Sequence, residues 1–336
     1  WERDHDLFER VYPMDLRPQA HEIIRTWLFS SVVRAHLEFD ALPWSDAAIS
    51  GWILDPDRKK MSKSKGNVVT PMGLLDDHGS DAVRYWAASG RPGTDTAFDV
   101  GQMKIGRRLA IKILNASKFV LSMESTADPG PSAVTNPLDQ AMLAGLAEVV
   151  ERATTAFEAY DYTRALEATE TFFWTFCDDY LELVKERAYG GRGETDAASA
   201  HAALNLALSV QLRLFAPFLP FATEEVWSWW QQGSIHRDSW PSADDVRSAA
   251  GHGDPEVLTA ASVTLSALRK AKSERKLSMR AELASAVVRG PDVEIGRARS
   301  AASDLRAAGR VTGDFSFEPN GEGMLTVDVV VSEPAG

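Results

Sequence analysis

The apolar positions of this chain fall into runs of helical period, broken by a few extended stretches. From His21 onward, Ile24, Leu28 and Val32 share one face and Ile23, Trp27 and Ser31 the next, at spacings of four. That pattern predicts a helix with two apolar faces, hence a largely buried one. Residues 1–20 before it are polar and then extended, since Tyr12-Pro13 and Arg17-Pro18 hold the residue preceding each proline away from helix. The run Ala47 to Leu54 reads as a buried strand that Pro56 stops. Thr70 and Pro71 are an N-cap and first-turn pair for a helix ended by Gly79, and Ser80-Asp81 opens another that Gly90 closes.

Between Lys104 and Met123 one face carries Ile105, Leu109, Ile113, Ala116 and Val120, with Arg107, Arg108, Lys112 and Lys118 elsewhere on the cylinder. Glu124 to Asn136 is a loop. Four helical segments follow, about 137–160, 162–189, 196–216 and 221–232, with inner faces marked by Leu138, Met142, Leu146, Val149 and Phe157 and by Leu204, Leu208, Leu212 and Phe215. Their short connections predict an antiparallel bundle. After the polar linker Ser239 to Asp254 come a helix at 255–275, a strand at Leu283 to Arg289, a helix from Pro291 to Ala308, and two strands joined at Asn320-Gly321. This last part reads as a β-α-β-β module whose final strands form a hairpin. The fold class predicted is mainly α with α/β parts.

Composition narrows the function classes. With 336 residues, 44% of them hydrophobic and 25% charged, the chain can bury cores in two or three domains. The single cysteine, Cys177, excludes a disulfide framework and a Cys-rich zinc site, and its neighbours Phe173, Phe176, Tyr180 and Leu181 place it in a core. No protein metal site is expected. The absence of an eighteen-residue apolar run and of a signal-peptide pattern at Trp1 to Asp6 points away from membranes, to a cytoplasmic location. A formal net charge of −12 argues against indiscriminate nucleic-acid binding, so RNA would have to meet local basic faces.

Two such faces exist. Arg58 to Lys65 holds five cations in eight residues, following the strand and preceding the Thr70 helix; Arg269 to Arg280 holds six in twelve. By composition alone the first run serves as a solvated turn, a nucleic-acid patch or an anion site, in which lysine acts as a point charge and Ser hydroxyls, Gly66 and exposed N–H groups add hydrogen bonds. The second is RNA-facing or a solvated helix end that complements its dipole. Trp227, Trp229 and Trp230 could stack on bases or fill a core.

The order Lys60-Met61-Ser62-Lys63-Ser64 matches the KMSKS signature of class I aminoacyl-tRNA synthetases letter for letter. With Pro13-Met14-Asp15-Leu16-Arg17-Pro18-Gln19 and Ile23-Ile24-Arg25-Thr26-Trp27 upstream, and Pro220 to Trp227 downstream, the chain resembles the valyl-tRNA synthetases in particular, over nearly its whole length. The isoleucine, leucine and methionine enzymes are the related alternatives, and a non-catalytic tRNA-binding module is the alternative of another class.

The resemblance implies four regions: the C-terminal part of a Rossmann-like catalytic domain (1–69), a stem-contact region (70–103), a helical anticodon-binding domain (104–250) and a C-terminal junction module (255–336). It implies that valine and ATP form valyl-adenylate, which esterifies tRNA(Val), with Mg²⁺ bound through the ATP phosphates. Lys60 and Lys63 would then be catalytic. ATP would be bound by Lys60, Met61, Ser62, Lys63 and Ser64, by Gly51 and Trp52 through backbone at the adenine, and by Glu22 at the ribose. Glu22 stands where the family has aspartate, and Ala20 where it has glycine. Ile23 and Trp27 would pack the valine side chain. Candidate tRNA contacts are Arg84, Arg107, Arg108, Lys112, Arg269, Lys270 and Lys272, and a monomer is expected. The family's His-x-Gly-His motif does not occur among the seven histidines, nor is there room for an editing insert, so the chain is expected to supply only the C-terminal part of such an enzyme, with no activity alone. It also lacks the heptads of a coiled-coil arm.

Overall fold

A computed structural model of the chain describes residues 2–62, 64, 66–123, 130–321 and 323–331. They divide into two compact units, Trp1–Ala110 with Thr155–Leu166, and Ile111–Thr154 with Glu167–Gly336.

The first unit opens with a short helix, α1 (His5–Val11), that the sequence reading missed. Its Asp4 N-cap carboxylate accepts the Leu7 N–H at 2.9 Å. Strand β1 (Met14–Ala20) then pairs in parallel with β2 (Trp44–Ser50), Met14 facing Trp44 and Ala20 facing Ser50. Parallel neighbours need a crossover. Here it is a 3₁₀ turn (His21–Ile23), a π turn (Ile24–Leu28) and α2 (Phe29–Phe39).

Two expectations fail in this region. The helix after His21 is not largely buried: Trp27 is 38% and Phe29 62% exposed, and Ala35 is the buried residue of α2. A two-stranded sheet offers too little area to cover two helix faces, and the change from 3₁₀ to π to α alters the angle between positions four apart. Nor is the 47–54 run one buried strand. It breaks at Gly51 into β2, where Trp44 is the buried residue, and β3 (Ile53–Leu54), which pairs in parallel with β4 (Thr96–Ala97).

Between β3 and β4 lie the cationic loop, α3 (Pro71–His78) and α4 (Ser80–Ala88), with Gly79 at φ 85° joining the helices as the sequence requires. Helix α5 (Val100–Leu121) follows, burying Leu109, Ile113, Ala116 and Val120 as its period predicts.

The second unit holds most of α6 (Pro137–Glu158) and α7 (Tyr162–Thr175), whose Thr155–Leu166 portion belongs to the first unit, and all of α8 (Leu181–Ala188), α9 (Glu194–Phe215), α10 (Pro220–Trp227), α11 (Ala243–Ala250) and α12 (Glu256–Glu274). A π turn at Phe176–Tyr180 separates α7 from α8. Leu138, Met142, Leu146 and Val149 of α6 and Leu204, Leu208, Leu212 and Phe215 of α9 are all buried, as predicted. Cys177 is buried too, and desolvation pushes its thiol up to about 12. Of the tryptophans, Trp227 is core and Trp229 is exposed.

A buried polar network crosses this unit. Arg187 donates to both Asp139 oxygens at 2.6 and 2.8 Å and to Asp304 at 2.8 Å, while Tyr180 and Ser199 donate to Asp139 at 2.7 and 2.6 Å. Burial works against the Arg187 charge, yet the hydrogen-bonded Asp139 and the nearby Asp304 outweigh it and hold its pKa above the ordinary guanidinium value.

The C-terminal module is β5 (Leu283–Gly290), α13 (Asp292–Ser300), α14 (Ala302–Gly309), β6 (Val311–Pro319) and β7 (Thr326–Val331). Its strands order β6-β5-β7, with β5 parallel to β6 and antiparallel to β7. The hairpin predicted at Asn320-Gly321 is therefore absent: β5 lies between the two strands, and the Asn320 N–H donates to the Gly290 carbonyl at its end at 2.9 Å. Leu268 of α12 packs on Leu283, Ala286 and Val311 of this sheet.

Candidate nucleotide site at the cationic loop

Asp55 and Asn67 fold the cationic loop, and neither was singled out in the sequence. The Asp55 carboxylate, 7% exposed, accepts the Lys59 N–H at 2.7 Å and the Asn67 side-chain amide at 2.8 Å. Asn67 in turn accepts the Ser62 N–H at 2.9 Å and donates to the Lys60 carbonyl at 3.3 Å. The backbone bond from Lys59, and then the side-chain bond from Asn67, hold the Asp55 pKa below the usual carboxylate value. Arg58 at φ 61° and Gly66 at φ 67° make the tight reversals, and Leu54 bridges Lys60. The legible signal was an Asp beside the turn-forming Pro56 and an Asn after Gly66, both types that hydrogen-bond nearby backbone.

The loop turns toward the end of β1. Lys60 Nζ lies 2.7 Å from Glu22 Oε2 and 4.0 Å from the centre of the Trp52 ring, and Trp52 Nε1 donates to the same Glu22 oxygen at 2.8 Å. These bonds, Lys60 first and Trp52 second, lower the Glu22 pKa. His21 stacks obliquely on Trp52 at 4.7 Å, and its Nδ1 lies 3.2 Å from the Ser50 carbonyl. A cation, a carboxylate and a half-buried indole thus meet where β1 ends.

Gly51 is required here. A Cβ on it would lie 2.2 Å from the Thr94 carbonyl oxygen, so only glycine lets the chain pass from β2 to β3 beside Thr94 and Asp95. The Trp52 N–H donates to Asp95 at 2.8 Å and its carbonyl accepts from Thr96 at 2.9 Å, so the Trp52 backbone, expected at an adenine, is already committed to neighbouring chain.

Among the other predicted residues, Met61 and Ser62 are half-buried and Ser64 is exposed, with the Ser62 and Ser64 hydroxyls 3.2 Å apart. Lys63 lies outside the described residues. Trp27 stacks on Trp44 at 5.9 Å and 8°, under the Arg17 guanidinium at 4.0 Å, and Ile23 beside it is half-buried. Gln19 on β1 is buried with neither side-chain polar atom hydrogen-bonded.

The candidate RNA contacts divide sharply. Arg84, Arg108 and Lys270 are exposed, Arg107 donates to the Asp77 carbonyl at 2.9 Å, Lys112 pairs with Asp178 at 2.9 Å, and Arg269 donates to the Asp178 carbonyl at 3.0 Å. Lys272 is corrected: it is 2% exposed, and its ammonium donates inward to the Met279 and Gly309 carbonyls at 3.2 and 2.9 Å. Periodicity could not reveal this, because the surface that covers Lys272 comes from α14, thirty residues on.

Comparison with known proteins places these features. Residues 1–99 match the family model of tRNA synthetases class I (I, L, M and V), and residues 139–288 that of the anticodon-binding domain of tRNA ligase. The chain is 66% identical to a valine–tRNA ligase of Thermobifida fusca over 332 residues, 98% of this chain and 37% of that protein. It is 54% identical to one of Cutibacterium acnes, covering 99% of this chain and 38% of that protein. It therefore spans well under half the length of these relatives. Among solved structures it resembles the ternary complex of Agrobacterium radiobacter K84 LeuRS, tRNA and LeuAMS, with a TM-score of 0.60 at 19% identity, covering 73% of this chain and 30% of that one. It also resembles Mycobacterium tuberculosis methionyl-tRNA synthetase in complex with methionyl-adenylate, with a TM-score of 0.50 at 24% identity, covering 67% of this chain and 46% of that one. The class I fold around the cationic loop, the anticodon-binding domain after it and two relatives above half identity lead to one conclusion: the chain belongs to the class I tRNA synthetases.

Proposed function

We propose that this chain works as part of a valine–tRNA ligase, supplying the loop that binds the ATP phosphates and the helical surface that docks tRNA(Val). The observation that carries this reading is the meeting of Lys60, Glu22 and Trp52 at the end of β1. Ligands of open parallel sheets lie beyond the strand carboxyl ends, where a ribose hydroxyl donates to a carboxylate and phosphates need cations. The 51–66% identity to several valine–tRNA ligases supports valine over isoleucine, leucine or methionine.

In the reaction proposed, a valine carboxylate oxygen attacks the α-phosphorus of ATP, forming the mixed anhydride as the bond to the β-phosphate's bridging oxygen breaks and pyrophosphate leaves. A hydroxyl of the terminal tRNA ribose then attacks the valyl carbonyl and AMP departs. Lys60 and Lys63 offset the charge that grows on the pyrophosphate oxygens, and the backbone around Ser62 and Ser64 orients the loop. Glu22 holds the ribose, and Ile23 and Trp27 pack the amino-acid side chain. No group of three or more His, Cys, Asp or Glu side chains among the described residues is arranged to hold a metal ion. Mg²⁺, if bound with ATP, would be held by its phosphates and would share their charge.

For the tRNA, Arg84, Arg107, Arg108, Lys112, Arg269 and Lys270 are the phosphate contacts proposed, on a cytoplasmic, monomeric enzyme. No helix among the described residues is long and apolar enough to cross a membrane. The test is ATP–pyrophosphate exchange by the complete protein carrying this chain, with valine, isoleucine, leucine and methionine in turn, followed by charging of unfractionated tRNA. Valine-dependent exchange and charging of tRNA(Val) are expected; preference for another of the four would overturn the valine assignment.

A further inference from the structure

Trp27 stands on the π turn Ile24–Leu28 with 38% of its surface exposed, so its indole is not held by burial. Two neighbours in the first unit hold it instead. Trp44, buried at the start of β2, lies nearly parallel to it, with ring centres 5.9 Å and planes 8° apart. The Arg17 guanidinium on β1 sits 4.0 Å from the centre of the Trp27 ring. Offset stacking and a cation over an indole face are both attractive, and tryptophan is the ring that draws cations most strongly. The backbone is pinned as well: the Trp27 carbonyl accepts the Ser31 hydroxyl at 2.8 Å and the Ser30 hydroxyl at 3.0 Å.

The buried Nε of Arg17 has no hydrogen-bond partner among the described residues, so this guanidinium is spent on the ring and not on a carboxylate fork at that edge. Arg17 and Trp44 belong to different strands, and the parallel register, Met14 on Trp44 and Arg17 on Ala47, sets their spacing. The clamp on Trp27 is thus built into the sheet. A pocket rejects a side chain one methylene too large only as far as its wall refuses to yield: overpacking is costly where neighbours hold the wall and cheap where the wall can swing.

We infer that Arg17 and Trp44 are positioning residues for amino-acid selection, which clamp the Trp27 indole as a stiff wall and so exclude a side chain one methylene larger than that of valine. Neither touches the amino acid; both act through Trp27. The inference rests on the pocket role proposed above for Trp27 and adds what makes that wall rigid.

The test is ATP–pyrophosphate exchange by the complete protein carrying this chain, with valine and with isoleucine, for wild type, Arg17→Met, Arg17→Lys and Trp44→Phe. Arg17→Met keeps the stem and removes the planar cation. Because isoleucine must break the stack to enter the wild-type pocket, removing it should raise kcat/KM for isoleucine about fivefold, the factor set by a cation–indole contact of moderate strength. The kcat/KM for valine and the KM for ATP should stay unchanged. Arg17→Lys, which keeps a cation for the ring, should fall between wild type and Arg17→Met, and Trp44→Phe, with less ring overlap, should also favour isoleucine. A merely structural role would lower exchange with both amino acids and raise neither. An equal loss with both in Arg17→Met assigns the guanidinium to the fold or to the carboxylate that the two substrates share, and overturns the inference. A valine-to-isoleucine ratio unchanged in both Arg17→Met and Trp44→Phe does the same while leaving the pocket reading intact. Wild type without a preference for valine overturns that reading itself.

Discussion

Glu22 Oε2 accepts two hydrogen bonds at once, from Lys60 Nζ at 2.7 Å and Trp52 Nε1 at 2.8 Å, and so ties the end of β1 to a loop 38 residues away. Because both donors favour the ionised carboxylate, the folded pKa of Glu22 lies below its ordinary value. The contact is complete at neutral pH and is lost as pH falls through the lowered folded value. The Trp52 indole ¹⁵N–¹H resonance should therefore shift at acid pH with a midpoint below that of an unperturbed glutamate. In Glu22→Gln that titration should vanish; an indole signal equally pH-dependent in both proteins would contradict the contact.

Asn67 ties together Asp55, the Ser62 N–H and the Lys60 carbonyl. Hydrogen bonds to a charged partner contribute roughly 1.5–3 kcal/mol, so Asn67→Ala should raise the KM for ATP in pyrophosphate exchange about tenfold or more, with tRNA affinity unchanged. Asn67→Asp should be worse than alanine, since it sets a second carboxylate against Asp55. Equal ATP dependence of wild type and both variants would show that the loop does not need this brace.

The Arg187 network makes a different prediction, about stability. Removing the shared cation leaves the buried Asp139 and Asp304 carboxylates uncompensated, so Arg187→Met should cost about 3–5 kcal/mol in chemical denaturation. Arg247→Ala breaks an exposed pair with Glu151 and should cost under about 1 kcal/mol. Similar losses for the two classes would mean that burial does not govern these pairs.

What could be read from the sequence was local. The faces of α6 and α9, the Pro71 start of α3 and the cationic loop all follow from spacings within one element or from a single proline or glycine. What escaped depends on residues far apart in the chain. The exposure of Trp27 and Phe29 reflects how little sheet lies beneath them, and the inward turn of Lys272 reflects carbonyls at Met279 and Gly309. The Asn320-Gly321 signal was correct for a chain reversal and wrong for pairing, because β5 already presents an edge to β7. At the site, lysines were legible as charge, whereas Asp55 and Asn67, which shape the loop, resemble any turn residues until their partners are seen.

In the function proposed, the positive charge of the 60–64 segment acts on ATP and not on RNA. The direct measurement is valine-dependent ATP–pyrophosphate exchange beside tRNA(Val) affinity, in the complete protein carrying this chain, for Lys60→Ala and Lys63→Ala. Loss of one preorganised cation should lower exchange on the order of 10²-fold, with the tRNA Kd and its salt slope unchanged. Exchange that survives in both variants while tRNA affinity and salt slope fall would contradict the claim and make the loop an RNA grip.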